Sequence, residues 1–321
     1  MKSLMTLVIP CYNEEKALPM FMAAVGPIRA ALSGTSPVPC DTELIFVDDG
    51  SDDSTLHLLQ DYNAADPTVR YISFSRNFGK EAAIYAGLSA AKGDYVVLLD
   101  ADLQHPVECI PLMYNVITSP DSSVYDSVAM YRKHRKSDGP VRSFFSDRFI
   151  GLMNRLADID LVPGATDFRL MTRKMVDSVL ELNEYNRFTK GIFAWVGFNT
   201  CWMPYEDALR CAGKSKWTGM GLFRYALEGV FAFSTKPLTI SFSLGVILCI
   251  LAVIYAAYTV IKTLIFGDPV AGFPTLFTMI LLLGGIQLLF LGVLGQYISR
   301  MYLETKHRPI FITKETSEDK R

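Results

Sequence analysis

Two carboxylates one residue apart close an apolar run in this chain. Tyr95-Val96-Val97-Leu98-Leu99 leads directly into Asp100-Ala101-Asp102-Leu103-Gln104-His105-Pro106. A carboxylate is costly to bury without a partner, so a pair at the end of a buried strand points to a bound cation. All-oxygen donors suit a hard divalent ion, Mg²⁺ or Mn²⁺, which shares its coordination with substrate phosphates. Asp100 and Asp102, with the carbonyl of Gln104, are the candidate ligands, although such triplets also occur in solvated loops. His105 reads as a loop residue rather than a ligand. A second apolar run ends in Asp48-Asp49-Gly50-Ser51, where a helix-capping turn and a binding role can coexist. A third ends in Pro10-Cys11-Tyr12-Asn13-Glu14.

The elements that must carry these groups follow from the apolar pattern. Residues 4–9, 43–47, 69–74 and 95–99 read as strands, and residues 15–32, 51–63 and 80–92 as helices. Strands alternating with helices of this length predict a parallel, doubly wound α/β sheet. In such a sheet ligands sit beyond the carboxyl ends of the strands, so the three acidic strand ends should open onto one crevice. No GxGxxG follows the first strand, and Gly79-Lys80 lacks the upstream glycine of a P-loop.

The chain has 321 residues, half of them hydrophobic, and a net charge of −2, which supplies no basic field for nucleic acid. Its six cysteines form no CxxC pair and read as free thiols of a reducing compartment. The first apolar run is too short for a secretory signal. Residues 240–266 and 274–299 each exceed the ~20 apolar residues needed to cross a bilayer. Lys236 precedes them and Arg300, Lys306, His307 and Arg308 follow. That asymmetry places both ends in the cytoplasm and the turn at Gly267-Asp268-Pro269 outside. Residues 219–236 read as an amphipathic segment on the membrane surface. The expected division is a cytoplasmic domain over 1–218, that segment over 219–236, two transmembrane helices over 237–299, and a cytoplasmic tail over 300–321, frayed from residue 314.

Val8-Ile9-Pro10-Cys11-Tyr12-Asn13-Glu14-Glu15, Val47-Asp48-Asp49-Gly50-Ser51 and Asp100-Ala101-Asp102-Leu103-Gln104 resemble the three core motifs of glycosyltransferase family 2, which has the GT-A (Rossmann-like) fold. Ser75-Arg76-Asn77-Phe78-Gly79-Lys80-Glu81, Asp167-Phe168-Arg169-Leu170-Met171 and the two-helix C-terminus are similar to the polyprenyl-phosphate branch, above all to bactoprenol glucosyltransferases. Arg210-Cys211-Ala212-Gly213-Lys214-Ser215-Lys216 matches a further motif of that branch.

The resemblance implies inverting transfer of a hexose, glucose first among the candidates, from a UDP-sugar to undecaprenyl phosphate at the inner membrane, for modification of a surface glycan. Pro10, Tyr12, Glu14 and Asp48 would hold the uridine side of the donor, with Lys80 also on the donor. Asp100, Asp102 and Gln104 would hold the metal and diphosphate. Asp102 and Asp167 would be catalytic, Asp167 at the position of a base. A structural pair between Asp167 and Arg169 or another cation is the alternative. Arg210, Lys214, Ser215 and Lys216 would meet phosphates. Arg132, in a basic stretch with Arg135 and Arg142, would clamp a phosphate or face anionic headgroups. Membrane lipids and a second copy of the chain complete the candidate partners. The rival readings are another donor sugar (N-acetylglucosamine, galactose, mannose or aminoarabinose), a polysaccharide synthase, or a non-catalytic scaffold.

Overall fold

The computed structural model describes residues 2–34, 38–119, 124–132, 151, 154, 162–205, 234–266 and 272–319. At its centre lies β1 (Ser3–Cys11), buried on both faces. Met5, Leu7 and Ile9 enter one apolar cluster, and Val8 enters the cluster on the other side. Around it stand β2 (Cys40–Asp48), β3 (Val69–Phe74) and β4 (Tyr95–Leu98). Helices α1 (Leu18–Gly34), α2 (Thr55–Ala65) and α3 (Lys80–Ala90) connect these strands. The order β4-β1-β2-β3 is parallel throughout, as the alternation predicts. The close packing of α3 on the sheet explains its run of small residues. A Cβ on Gly87 would lie 2.2 Å from a Val8 methyl carbon.

Beyond these four strands the sheet departs from the all-parallel expectation. After α4 (Cys109–Thr118) come β5 (Ser127–Arg132) and β6 (Ala165–Thr172). Then follow α5 (Arg173–Glu181), α6 (Thr189–Trp195) and β7 (Thr200–Tyr205). The full order is β7-β5-β6-β4-β1-β2-β3-β8. β6 runs antiparallel to both β4 and β5, and β7 parallel to β5. Only a strand–helix–strand crossover enforces parallel pairing, and β6 does not enter beside β4 by one: β5 intervenes in the chain.

Two long helices follow, α7 (Lys236–Phe266) and α8 (Phe273–Thr305). Both are long and apolar enough to cross a membrane, and neither is buried in the protein. With 33 residues, α8 spans about 50 Å at 1.5 Å per residue. It therefore outruns a ~30 Å hydrocarbon layer, and its last turns stand clear toward the catalytic domain.

The tail is not frayed at residue 314. β8 (Thr313–Thr316) pairs antiparallel with β3 and closes the sheet edge. Ser317 is buried, and Glu318 lies 2.8 Å from the Arg70 guanidinium. The segment Thr-Lys-Glu-Thr has no apolar alternation because backbone bonds and ion pairs hold it. Residues 219–233 of the expected amphipathic segment and the turn at residues 267–269 lie outside the described residues.

Candidate active site

The ends of β1, β2 and β4 lie side by side at one edge of the sheet. The β1 and β2 ends are stitched together by short polar bonds. Asn13 N donates to Ser51 Oγ (2.9 Å), Asp52 N to Asn13 Oδ1 (2.9 Å), and Glu14 N to Thr55 Oγ1 (2.9 Å). Asn13 takes a positive φ of 56°, which asparagine tolerates better than most residues. This stitching sets Pro10, Tyr12 and Glu14 at the rim, half-buried.

Asp48 is fully buried at the end of β2. Its Oδ1 accepts from Ser51 N (3.0 Å) and its Oδ2 from Ser73 Oγ (2.8 Å). It therefore shapes the rim from within. Asp49 accepts from Phe78 N (2.6 Å) and Gly79 N (3.0 Å). Burial pushes its carboxyl up, against those two amide bonds. It ties the β2 end to the loop before α3.

That loop delivers Lys80, the first residue of α3. The Lys80 ammonium lies 2.7 Å from Asp100 Oδ1 and 2.9 Å from Asp167 Oδ2. Three parts of the chain thus meet on one nitrogen: the start of α3, the end of β4, and β6. Burial pushes the ammonium down, but the two carboxylates outweigh it and hold Lys80 above its ordinary value. Burial likewise pushes Asp167 up, and Lys80 and Lys190 outweigh it, holding the carboxyl well below the usual range. Asp100 is lowered in the same sense, burial being outweighed chiefly by Lys80. Of the ion pairs expected as the alternative for Asp167, with Arg169 or another cation, the structure forms the one with another cation, Lys80.

Arg169 instead lies buried with its guanidinium 3.8 Å from the centre of the Phe193 ring. Burial pushes it down to about 10, while Asp167 pulls it up. Glu81, missed by the sequence reading, accepts from the Thr189 amide (2.8 Å) and hydroxyl, and so clasps α3 to α6.

Asp102 Oδ1 accepts from Gln104 N (3.1 Å), which curls the acidic loop at Leu103, φ 55°. Asp100 and Asp102 supply hard oxygen donors of the kind a divalent ion takes. Among the described residues no three His, Cys, Asp or Glu side chains converge into a metal cluster. An ion here would therefore complete its shell with donor oxygens, as Mg²⁺ does with phosphates. His105 is buried, stacked 5.2 Å from Phe168 and edge-on to Tyr205. It packs beneath the acidic loop.

Arg132 ends β5 and bonds Tyr205 Oη (3.1 Å). Because β5 and β6 are antiparallel, it stands at the sheet end where β6 begins, near Asp167. Arg210, Lys214, Ser215 and Lys216 lie outside the described residues, as do Arg135 and Arg142.

Acidic strand ends gathered on one lysine, beside a parallel core, match a known domain: glycosyl transferase family 2 covers residues 6–180. The chain belongs to glycosyl transferase family 2. It is a GT-A glycosyltransferase with a GtrB C-terminal hairpin, matched over residues 236–301, which span α7 and most of α8. The hairpin makes this transferase a membrane protein. Its relatives extend along the whole chain. The bactoprenol glucosyl transferase of Shigella phage SfV is 40% identical over 98% of this chain and 99% of its own length. The putative glycosyltransferase CsbB of Bacillus subtilis (strain 168) is 41% identical over 98% of this chain and 93% of its own. The prophage bactoprenol glucosyl transferase homolog of Escherichia coli (strain K12) is 40% identical over 98% and 99%.

Proposed function

We propose that this transferase moves glucose, with inversion, from UDP-glucose to undecaprenyl phosphate at the cytoplasmic face of the inner membrane. One observation carries the reading: bactoprenol glucosyl transferases match at 40% identity along nearly the full chain, hairpin included.

The residues fit that chemistry. Breaking the sugar–diphosphate bond leaves negative charge on the departing UDP. A divalent ion, held by Asp100, Asp102 and Gln104, would stabilise that charge. Lys80 stands within reach of the same position and adds a fixed positive charge. The acceptor phosphate is already largely ionised at neutral pH, so attack needs little help from a base. Asp167, ionised and engaged with Lys80, orients that lysine. Pro10, Tyr12 and Glu14 form the rim on which the uridine rests, and Asp48 fixes its shape.

The hairpin fits the acceptor. An isoprenoid tail cannot leave the bilayer, so a domain anchored beside the headgroups meets its phosphate at raised effective concentration. Arg132, and Arg210, Lys214 and Lys216 beyond it in sequence, supply cations for phosphates, and Ser215 a hydroxyl donor.

The test is incubation of the purified full-length protein with undecaprenyl phosphate, Mn²⁺ or Mg²⁺, and a panel of UDP-sugars. Mass spectrometry of the lipid should show a hexosyl phosphate with UDP-glucose. A product with only another sugar would overturn the donor, and no product with any would overturn the reading.

A further inference from the structure

The chain returns from the membrane and touches the catalytic domain before β8 begins. Phe311 stacks on Phe74, ring centres 4.8 Å apart and planes within 19°. Phe74 in turn meets Phe78 edge-on at 5.8 Å. The Ile312 carbonyl accepts from Ser75 N at 2.9 Å. The Ser75 bond falls on residues 75–79, the loop that ends where Lys80 begins, and Phe311 reaches that loop through Phe74, the last residue of β3, and Phe78.

The opposite side of that loop is equally confined. Gly50, with φ +67°, backs directly onto it, and a Cβ there would lie 2.4 Å from the Arg76 carbonyl carbon. Asp49 accepts from Phe78 N and Gly79 N. The Gly79 carbonyl accepts from Ala82 N and Ala83 N and so opens the first turn of α3. The loop is pressed between the β2 end and the returning tail, and the base of Lys80 sits at its exit. The tail has no independent freedom, because α8 fixes one end of it and β8 the other. Glu304, in the last turn of α8, also accepts from Tyr185 N at 2.9 Å.

We propose that Phe311 and the Ile312 carbonyl are positioning elements of the donor site: the segment returning from the membrane holds residues 75–79 against Gly50 and thereby sets Lys80 on its carboxylates. The proposal rests on the reading of a UDP-sugar donor beside Lys80. It gives the tail a task that is neither anchoring nor acceptor binding. Phe311 touches no reacting atom and acts through Phe74, Phe78 and Lys80.

Phe311→Ala and Phe311→Tyr in the full-length protein, in detergent, test it. An aromatic pair is worth up to about tenfold in an equilibrium. Phe311→Ala should therefore lower kcat/KM for UDP-glucose, per folded protein, about tenfold while the lipid KM stays within about threefold. Phe311→Tyr, which keeps the ring, should restore the wild-type kcat/KM. A merely destabilised protein would lose rate only in proportion to its folded fraction, which a melting curve measures. Hydrogen exchange gives a donor-independent readout. In Phe311→Ala, peptides covering residues 75–79 should exchange faster while those of β1 and β2 keep their protection. An unchanged kcat/KM for the donor, failure of Phe311→Tyr to rescue, or unchanged exchange over 75–79 would overturn the proposal. If the wild-type protein does not use UDP-glucose, the functional reading fails by itself, and the exchange measurement still decides the role of Phe311.

Discussion

Lys80 Nζ lies 2.9 Å from Asp167 Oδ2, although 87 residues separate them in the chain. One is the first residue of α3 and the other lies on β6, an antiparallel strand outside the parallel core. The contact makes Lys80 the cation around which Asp100 and Asp167 are arranged.

Replacing Lys80 by Met should remove that cation while keeping the length of the side chain. The loss of fixed charge at the leaving group should cost about 10²–10³ in kcat. Stability should change by under ~1 kcal/mol, because the Lys80 side chain is 44% exposed and water screens the pair. Turnover with UDP-glucose and a melting curve measure the two effects. A variant with wild-type kcat would remove Lys80 from the site.

Asp102→Asn addresses the metal. The carboxylate accepts from the amide two residues on, and an amide oxygen can still accept there. The fold should survive, and Mn²⁺ affinity should fall by at least about tenfold. Electron paramagnetic resonance of free Mn²⁺ measures the affinity without turnover. Affinity equal to wild type would exclude Asp102 as a ligand.

The parallel core and its acidic ends were legible because buried strands leave continuous apolar runs and carboxylates at their ends stand out. Asp100 and Asp102 could be picked from residue type alone. The link from Lys80 to Asp167 could not, since β6 follows a stretch without strand–helix alternation, and only the family resemblance brought both residues forward. Glu81 was missed because it spends its charge on the Thr189 amide and hydroxyl, and the bonds of Asp49 to the Phe78 and Gly79 amides likewise leave no mark in the sequence. The pair expected for Asp167, with Arg169 or another cation, forms with Lys80. Two residues apart on a strand share a face, but that face packs the Arg169 guanidinium on Phe193. The tail was misread because an edge strand held by backbone bonds and by the Arg70–Glu318 pair needs no apolar side chains.

The β3–β8 pairing constrains topology. Residues 313–316 lie in the same sheet as β1, so the chain must cross any membrane an even number of times between Lys236 and Thr313. If α7 and α8 are the crossings, a residue between them such as Asp268 is expected on the opposite side from the catalytic domain. An impermeant maleimide applied to intact cells should label a cysteine placed at Asp268 and spare one at Asp319, which should react only after lysis. The reverse pattern would invert the orientation.

Glu81 gives a signed pH effect. Burial, outweighing the bonds from Thr189, holds its carboxyl above the ordinary value of 4.5. Above that value and up to the raised one, the folded chain binds the proton that the unfolded chain releases. Stability from this group is therefore present at low pH and is lost as pH rises through the window. Glu81→Gln keeps an oxygen toward Thr189 and abolishes the titration. Melting temperatures of the two proteins should diverge as pH rises above the ordinary value, in favour of the variant. A difference that stays constant as pH rises would show that Glu81 is not perturbed.

Asp167 decides between a base and an orienting group. A base must accept a proton near neutral pH, but Lys80 and Lys190 hold this carboxyl well below the usual range. The acceptor phosphate has little proton to give in any case. If Asp167 works by holding Lys80, the two residues act as a unit, and their losses do not add. Asp167→Asn should then lower kcat by about 10²–10³, and adding Lys80→Met should cost little more than either change alone. The wild-type rate should also show no ionisation from Asp167 between about pH 5 and pH 9, because its titration lies far below that range. A general base predicts otherwise: an acid limb that disappears in Asp167→Asn, and a double variant whose loss is the product of the two. Rate–pH profiles of the four proteins, with UDP-glucose and undecaprenyl phosphate saturating, separate these outcomes, and multiplicative losses with a vanishing acid limb would make Asp167 the base.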